Sequence, residues 1–238
     1  VRIEGTLENP VQNLVFRGIT FAYDAWSEVD TMGYIEHQAG VIQSGAGWFD
    51  MYKTPGSIQL SAARNVTFEG NTFKGLGINA LAVVYGSKDI SIESNRFSDI
   101  SGAAVSVADI QGSDPRNPDV PGVHYDHHPS DERRIVERVT VKNNVITEIG
   151  AEYHSTPGIF VGYARYISLL NNTLYNLPYS GISMGWGWGY PDVNATSVCQ
   201  NNLIKGNRLH TFMQTMNDGG GIYTLGAQRD SEISENYL

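Results

Sequence analysis

Six short segments of this chain are versions of one pattern: NVTFEGNTF from Asn65, DISIESNRF from Asp89, RVTVKNNVI from Arg138, YISLLNNTL from Tyr166, NNLIKGNRL from Asn201 and SEISENYL from Ser231. Each holds a few alternating apolar residues, a turn residue, an asparagine and a second short apolar stretch. The asparagines are Asn71, Asn95, Asn144, Asn172, Asn207 and Asn236, at spacings of 24, 49, 28, 35 and 29 residues. A seventh copy, NLVFRGITF from Asn13, carries Ile19 at that place. Self-similarity at this period is the mark of a solenoid, in which each repeat buries its apolar face only by stacking on the next.

One repeat can be folded by hand. In Asn65–Lys88, the shortest copy, alternation puts Val66 and Phe68 on one face of a strand and Thr67 and Glu69 on the other. Gly70-Asn71 then turns the chain, and asparagine is expected there in a left-handed backbone. Asparagines repeated at one bend can stack their amides into a ladder. Ile92, Ile146, Leu174 and Leu209 repeat the inward positions, and a further apolar strand recurs at 80–84, 103–107, 159–161, 182–184 and 222–224. Three short strands per repeat without an amphipathic helix describe an all-β, right-handed, single-stranded parallel β-helix. Seven rungs would make a single domain over residues 1–238, on the order of 30 Å long at ~4.8 Å per rung.

Copies longer than the minimum must bulge out as loops, where function concentrates. The insertions cover 24–56, 109–137, 186–200 and 212–220, with a short one at 154–157, and none falls at an asparagine turn. All of them flank the strand that begins each rung, so that sheet is expected to floor a groove. Its walls hold Asp24, Asp30, Glu36, His37, Trp48 and Asp50, then HYDHHPSD from His124, then Glu152, Tyr153 and His154, then Trp186, Trp188, Tyr190 and Asp192, then Asn217 and Asp218.

Asp218 precedes three glycines at a strand entry, so close backbone approach or left-handed geometry could fix its carboxylate over the floor; the alternative is an aspartate bonding its own loop. Asp192 projects from the opposite wall. Carboxylates one or two rungs apart fall near the ~5–9.5 Å that glycoside hydrolysis requires, and Asp109 and Glu152 are reserve candidates. Trp186 and Trp188 offer flat faces for sugar rings or else staple their loop onto the rod. Tyr153, His154, Tyr223 and His128 complete the expected substrate contacts. His127 and His128 are adjacent and cannot both face one ion on a regular strand, so no metal and no cofactor are expected.

Other features narrow the partners. A net charge of −9 and a pI near 5.0 argue against nucleic acid or an anionic membrane. No apolar run is long enough to span a bilayer, and the single cysteine, Cys199, excludes an internal disulfide. The chain lacks a starting methionine and stops within a repeat at Leu238, so a fragment of a longer, exported protein is expected, without its signal peptide. Asn65, Asn171 and Asn194 begin glycosylation tripeptides, of which the first two belong to the repeat itself.

GYIEHQAG (33–40), EYHSTPGIFVGY (152–163), NLPYSGISMGWGWGY (176–190) and LHTFMQTMNDGGGIYTLG (209–226) resemble segments of bacterial parallel β-helix proteins with PbH1 repeats and the pectin lyase-like fold, a group similar to glycoside hydrolase family 141. The resemblance implies a large secreted, periplasmic or cell-surface carbohydrate-active enzyme, with fucosidase- or xylanase-like activity and a pair of catalytic aspartates. Asp218 lies inside a matched segment; the motif does not place the second. The expected partner is a poly- or oligosaccharide, with no nucleic acid and no membrane insertion, and the molecule is expected to be a monomer. A polysaccharide lyase or uronate epimerase is a second reading. It is disfavoured because the walls are acidic and aromatic, with Arg165 and Arg229 the late basic residues near the groove. A non-catalytic carbohydrate-binding or adhesion rod is a third.

Overall fold

The computed structural model describes residues 1–27, 38–43, 51–110, 127–187 and 195–238, apart from the side chains at 43, 51 and 52. The chain is a parallel β-helix. It passes repeatedly through three parallel sheets of seven, eight and six strands. The first sheet stacks Arg2–Glu4, Gly56–Ser61, Asn79–Val84, Val105–Val107, Ile159–Val161, Ile182–Met184 and Ile222–Thr224. The second contains the strands before the asparagine turns, from Val11–Arg17 to Glu232–Ser234, and the third those after them, from Thr20–Asp24 to Arg208–His210.

Register follows from the period-two pattern. Phe68 lies opposite Ile92, Ile92 opposite Val141, Val141 opposite Leu169 and Leu169 opposite Ile204, and all five are fully buried. A one-residue slip would turn this whole file outward, so apolar burial fixes the pairing. In the third sheet the strand spacing forces like side chains into face-to-face stacks: the Phe73 and Phe97 rings are 4.5 Å apart at 5°, and Phe21 and Phe73 are 5.0 Å apart at 14°.

The amide ladder forms. Asn95 Nδ2 donates to Asn144 Oδ1 at 3.0 Å and Asn144 Nδ2 to Asn172 Oδ1 at 3.0 Å, and the series runs from Asn71 to Asn236. Where Ile19 replaces the asparagine, its backbone N–H still donates to Asn71 Oδ1 at 2.9 Å. One expectation is corrected. The left-handed residue is the one before each asparagine: Gly70, Ser94, Asn143, Asn171, Gly206 and Glu235 all have positive φ, as does Gly18 before Ile19, and the ladder asparagines do not. The asparagine is kept for its amide, while the preceding residue makes the bend.

A second, charged file runs along the start of the second sheet. Glu137 is buried, yet it accepts from Arg165 Nε at 2.7 Å, from Lys88 Nζ at 3.0 Å and from Arg138 Nη1. Burial alone would raise its carboxyl, but these three bonds outweigh it and hold it at about 2, against an ordinary 4.5. A depressed carboxyl stabilises the fold above the unfolded value and loses that contribution as pH falls toward the folded one. Urea unfolding of the Glu137→Gln variant should therefore show a loss of about 3 kcal/mol at neutral pH. The difference from wild type should shrink between pH 4.5 and 2. A constant difference across that window would contradict the assignment.

Candidate functional site

The outward face of the first sheet is a file of Gln59, Ala82, Ser106, Phe160, Ser183 and Tyr223 in register. Sequence alone suggests an open floor, but Ala82, Ser106, Phe160 and Ser183 are buried. They are covered by a second apolar cluster in which wall residues Ala39, Val41, Ile110, Trp186, Val198 and Leu225 pack with Phe160. The described parts of the 24–56 insertion form a strap along the rod. Trp26 meets Tyr153 edge-on, with centroids 5.7 Å apart, and Gln38 reaches Asp218. The chain then returns through an antiparallel pair, Val41–Gln43 with Met51–Lys53, to Thr54, whose Oγ1 accepts from Asn79 Nδ2 at 2.8 Å.

The floor emerges from this cover at Tyr223, which is half-buried and packs at the edge of the cluster. Asp218 stands beside it. Gln38 Nε2 donates to Asp218 Oδ2 at 3.1 Å, to its backbone oxygen at 3.3 Å and to Tyr223 Oη at 3.4 Å. Tyr179 Oη donates to the same backbone oxygen at 2.8 Å, and burial first, then the nearby Tyr223 and Asp218, push its hydroxyl up to about 12, so it stays a donor. The glycines act as expected in one respect only. Asp218 itself takes the left-handed backbone, with φ 58°, while Gly219 allows close approach: a Cβ there would lie 2.4 Å from Ser180 Oγ. Left-handed residues recur along the described bends of this rod, so the φ of Asp218 alone marks nothing. What distinguishes it is an exposed carboxylate with a fixed amide donor.

The other candidates are dispersed. Glu152 is exposed and accepts from Ser101 Oγ at 3.0 Å. It enters the first sheet on the same edge as Asp218, two strands earlier, roughly 10 Å along the axis. Asp109 leaves on the opposite edge, three strands earlier or roughly 14 Å along the axis, and faces the buried Lys53 with Nζ at 3.9 Å from Oδ1. That position serves a buried cation and is too far from Asp218 to work with it. Tyr153 and His154 are half-buried in the Glu152 wall, and burial, then Glu152, raises the Tyr153 hydroxyl.

Trp186 is 1% exposed and lies edge-on to Phe160, centroids 6.2 Å apart at 83°. A platform for sugar is excluded in this arrangement; the ring pins its loop to the rod. His128 is exposed beyond the far edge of the sheet, away from Asp218. Asp192 and Trp188 lie outside the described residues, as do Asp30, Glu36, His37, Trp48, Asp50, His124, Asp126, Tyr190 and the acceptor Asn194. Sequence reasoning passed over Gln38 and Tyr179. Both sit in segments that carry the family resemblance, GYIEHQAG and NLPYSG, and that was the available signal.

Among the described residues no helix is long and apolar enough to cross a membrane. No protein-family model matches the sequence, and no curated protein matches it. Among solved structures the chain is similar to a protein described as a glycoside hydrolase, with 26% identity and a TM-score of 0.84 over 99% of this chain and 40% of that one. It is also similar to PfbA, a surface adhesin of Streptococcus pneumoniae, at 18% identity and a TM-score of 0.48 over 85% of this chain and 45% of that one. A third is the A-module of the Azotobacter vinelandii mannuronan C-5 epimerase AlgE6, at 13% identity and a TM-score of 0.32, covering 78% and 58%. The last two bear on nothing further. The chain spans about two fifths of the glycoside hydrolase, and over nearly all of its own length it has that protein's parallel β-helix architecture.

Proposed function

We propose that this β-helix is part of an extracellular or cell-surface glycoside hydrolase that cleaves plant or microbial polysaccharide, with Asp218 as one carboxylate of its pair. The observation that carries the reading is the exposed Asp218 carboxylate at the uncovered end of the first sheet, aimed by Gln38 while Tyr179 holds its backbone. The 26% identity to a glycoside hydrolase across almost the whole chain supports the reaction class. The Gln38 amide holds the Asp218 carboxylate in one orientation, which suits the group that draws a proton from water. Glu152, roughly 10 Å along the same edge, is close to the ~6.5–9.5 Å separation of an inverting pair and serves as the acid that protonates the leaving oxygen. Tyr223, beside Asp218, and Tyr153 with His154, beside Glu152, supply the apolar and hydrogen-bonding surfaces for the sugar between them.

Incubation with xylan, fucosylated polysaccharide and aryl glycosides should release reducing ends or the aryl alcohol, with inverted configuration at the new anomeric centre. Appearance of an unsaturated, ultraviolet-absorbing product would replace hydrolysis by β-elimination. Binding without turnover would make the rod an adhesin.

A further inference from the structure

One position recurs at the start of the second sheet. Strand pairing aligns Arg64 with Lys88, Lys88 with Glu137 and Glu137 with Arg165, and isolated bridges extend the file through Gln200 to Arg229. Successive members are one strand apart, about 4.8 Å. In a chain of net charge −9, this file holds Arg64, Lys88, Arg165 and Arg229 with the single carboxylate of Glu137. Like charges stacked on neighbouring strands repel. Glu137 relieves the repulsion by bridging both ways, Oε1 to Lys88 and Oε2 to Arg165.

Gln200 holds the corresponding place between Arg165 and Arg229, and it carries no charge. Arg229 is exposed and anchored through Nη2 on the Ser197 backbone oxygen at 2.7 Å, and among the described residues no carboxylate pairs with it. Arg165 gives Nε to Glu137 and Nη2 to the exposed Glu132, which leaves Nη1. Over this stretch opens a cleft of about 330 Å³, with Arg165, Gln200 and Arg229 along its base, Pro129 and Ala195 as its accessible apolar side, and His128 and the Arg165-paired Glu132 at its margin.

We propose that this cleft binds a carboxylate carried on a compact body with one apolar face, the chemistry of a single uronic acid residue. A carboxylate above Gln200 would bridge Arg165 and Arg229 as Glu137 bridges Lys88 and Arg165, and guanidinium groups suit it because they present paired donors. The Gln200 amide adds a neutral donor, and the C–H face of a sugar ring packs on Pro129 and Ala195. The volume is at the small end of ligand pockets, ~300–1,000 Å³, enough for one ring. The cleft lies beyond the edge by which strands leave the first sheet, while Asp218 lies at the edge by which they enter. Its occupancy is therefore independent of the catalytic proposal.

Isothermal titration of the protein at low ionic strength with galacturonate, galactose and acetate tests it. Galacturonate should bind, galactose should give no signal, and acetate should bind about tenfold more weakly for want of the ring's apolar face. Arg229→Gln should weaken galacturonate by about tenfold or more. Gln200→Glu should abolish galacturonate binding and raise the melting temperature, because it supplies internally the bridge that Glu137 makes two strands earlier. Failure of galacturonate to bind, equal binding of galactose, or unchanged affinity in Arg229→Gln would overturn the site. Acetate matching galacturonate would overturn the assignment of a sugar-sized ligand.

Discussion

Replacing Asn144 by alanine should cost the rod about 4 kcal/mol, against about 1 kcal/mol for the same change at Asn236. Asn144 Oδ1 accepts from the backbone N–H of Asn95 at 2.8 Å and from its Nδ2 at 3.0 Å, while Asn144 Nδ2 donates to Ile92 O at 2.9 Å and to Asn172 Oδ1. Truncation leaves the Asn95 N–H and the Ile92 carbonyl without these partners at a buried bend, each worth ~1–3 kcal/mol when unsatisfied. The lost amide also leaves a void between rungs. Among the described residues Asn236 is part-buried and accepts from Asn207 alone, so water replaces what is removed. Because each rung contacts only its neighbours, an interior loss also separates the two halves of the stack. Urea unfolding followed by circular dichroism gives both values, and equal losses at the two positions would remove the ladder from the account of stability. Asn144→Asp sharpens the comparison. It keeps the acceptor but loses the donor and buries a charge at neutral pH, so acidification should recover part of its loss, which it cannot do for alanine.

The ladder was legible because it is local and periodic. Six asparagines at matched offsets from alternating apolar residues give sheet, register and bend together, with no partner needed from elsewhere. Its finer geometry was not legible. Gly70, Asn143, Asn171 and Gly206 are of the two types that favour positive φ, but Ser94 and Glu235 interrupt the series, and the repeated asparagine beside it drew the assignment to itself. The site was harder still because its contacts are remote. Gln38 and Asp218 are 180 residues apart, brought together by a strap whose described apolar residues, Ala39, Val41 and Ile42, follow no sheet or helix period. Trp186 between two glycines reads as an exposed platform. The cavity that swallows it is built by Phe160 and other members of the second cluster, from other rungs. Asp218 was found from its glycines and its family-like segment. That Asp109 answers to Lys53 could be known only once the strap's return path was in place.

Asp218→Asn should lower kcat by about 10²–10⁴-fold, the usual contribution of a positioned acid or base, and leave KM and the melting temperature near wild type. The expectation of an intact fold is specific. Asparagine keeps an oxygen to accept from Gln38, the Tyr179 bond goes to the backbone, and an exposed side chain loses little packing. A fall in kcat with KM unchanged separates a group acting in the transition state from one that merely holds substrate. If Asp218 activates water, a small external anion such as azide should enter the space vacated in Asp218→Gly, which also tolerates the φ of 58° there, and restore turnover with a glycosyl azide as product. Glu152→Gln should behave differently: its loss should be severe on substrates with poor leaving groups and mild on activated aryl glycosides, which need no protonation. Gln38→Met, which removes the donor at 3.1 Å from Oδ2, should lower kcat with KM near wild type, because the Asp218 carboxylate is no longer held in one orientation. Wild-type kcat in Asp218→Asn would take the carboxylate out of the mechanism. A fall that azide does not rescue in Asp218→Gly, with unchanged kcat in Gln38→Met, would assign Asp218 to the architecture of the strand entry alone.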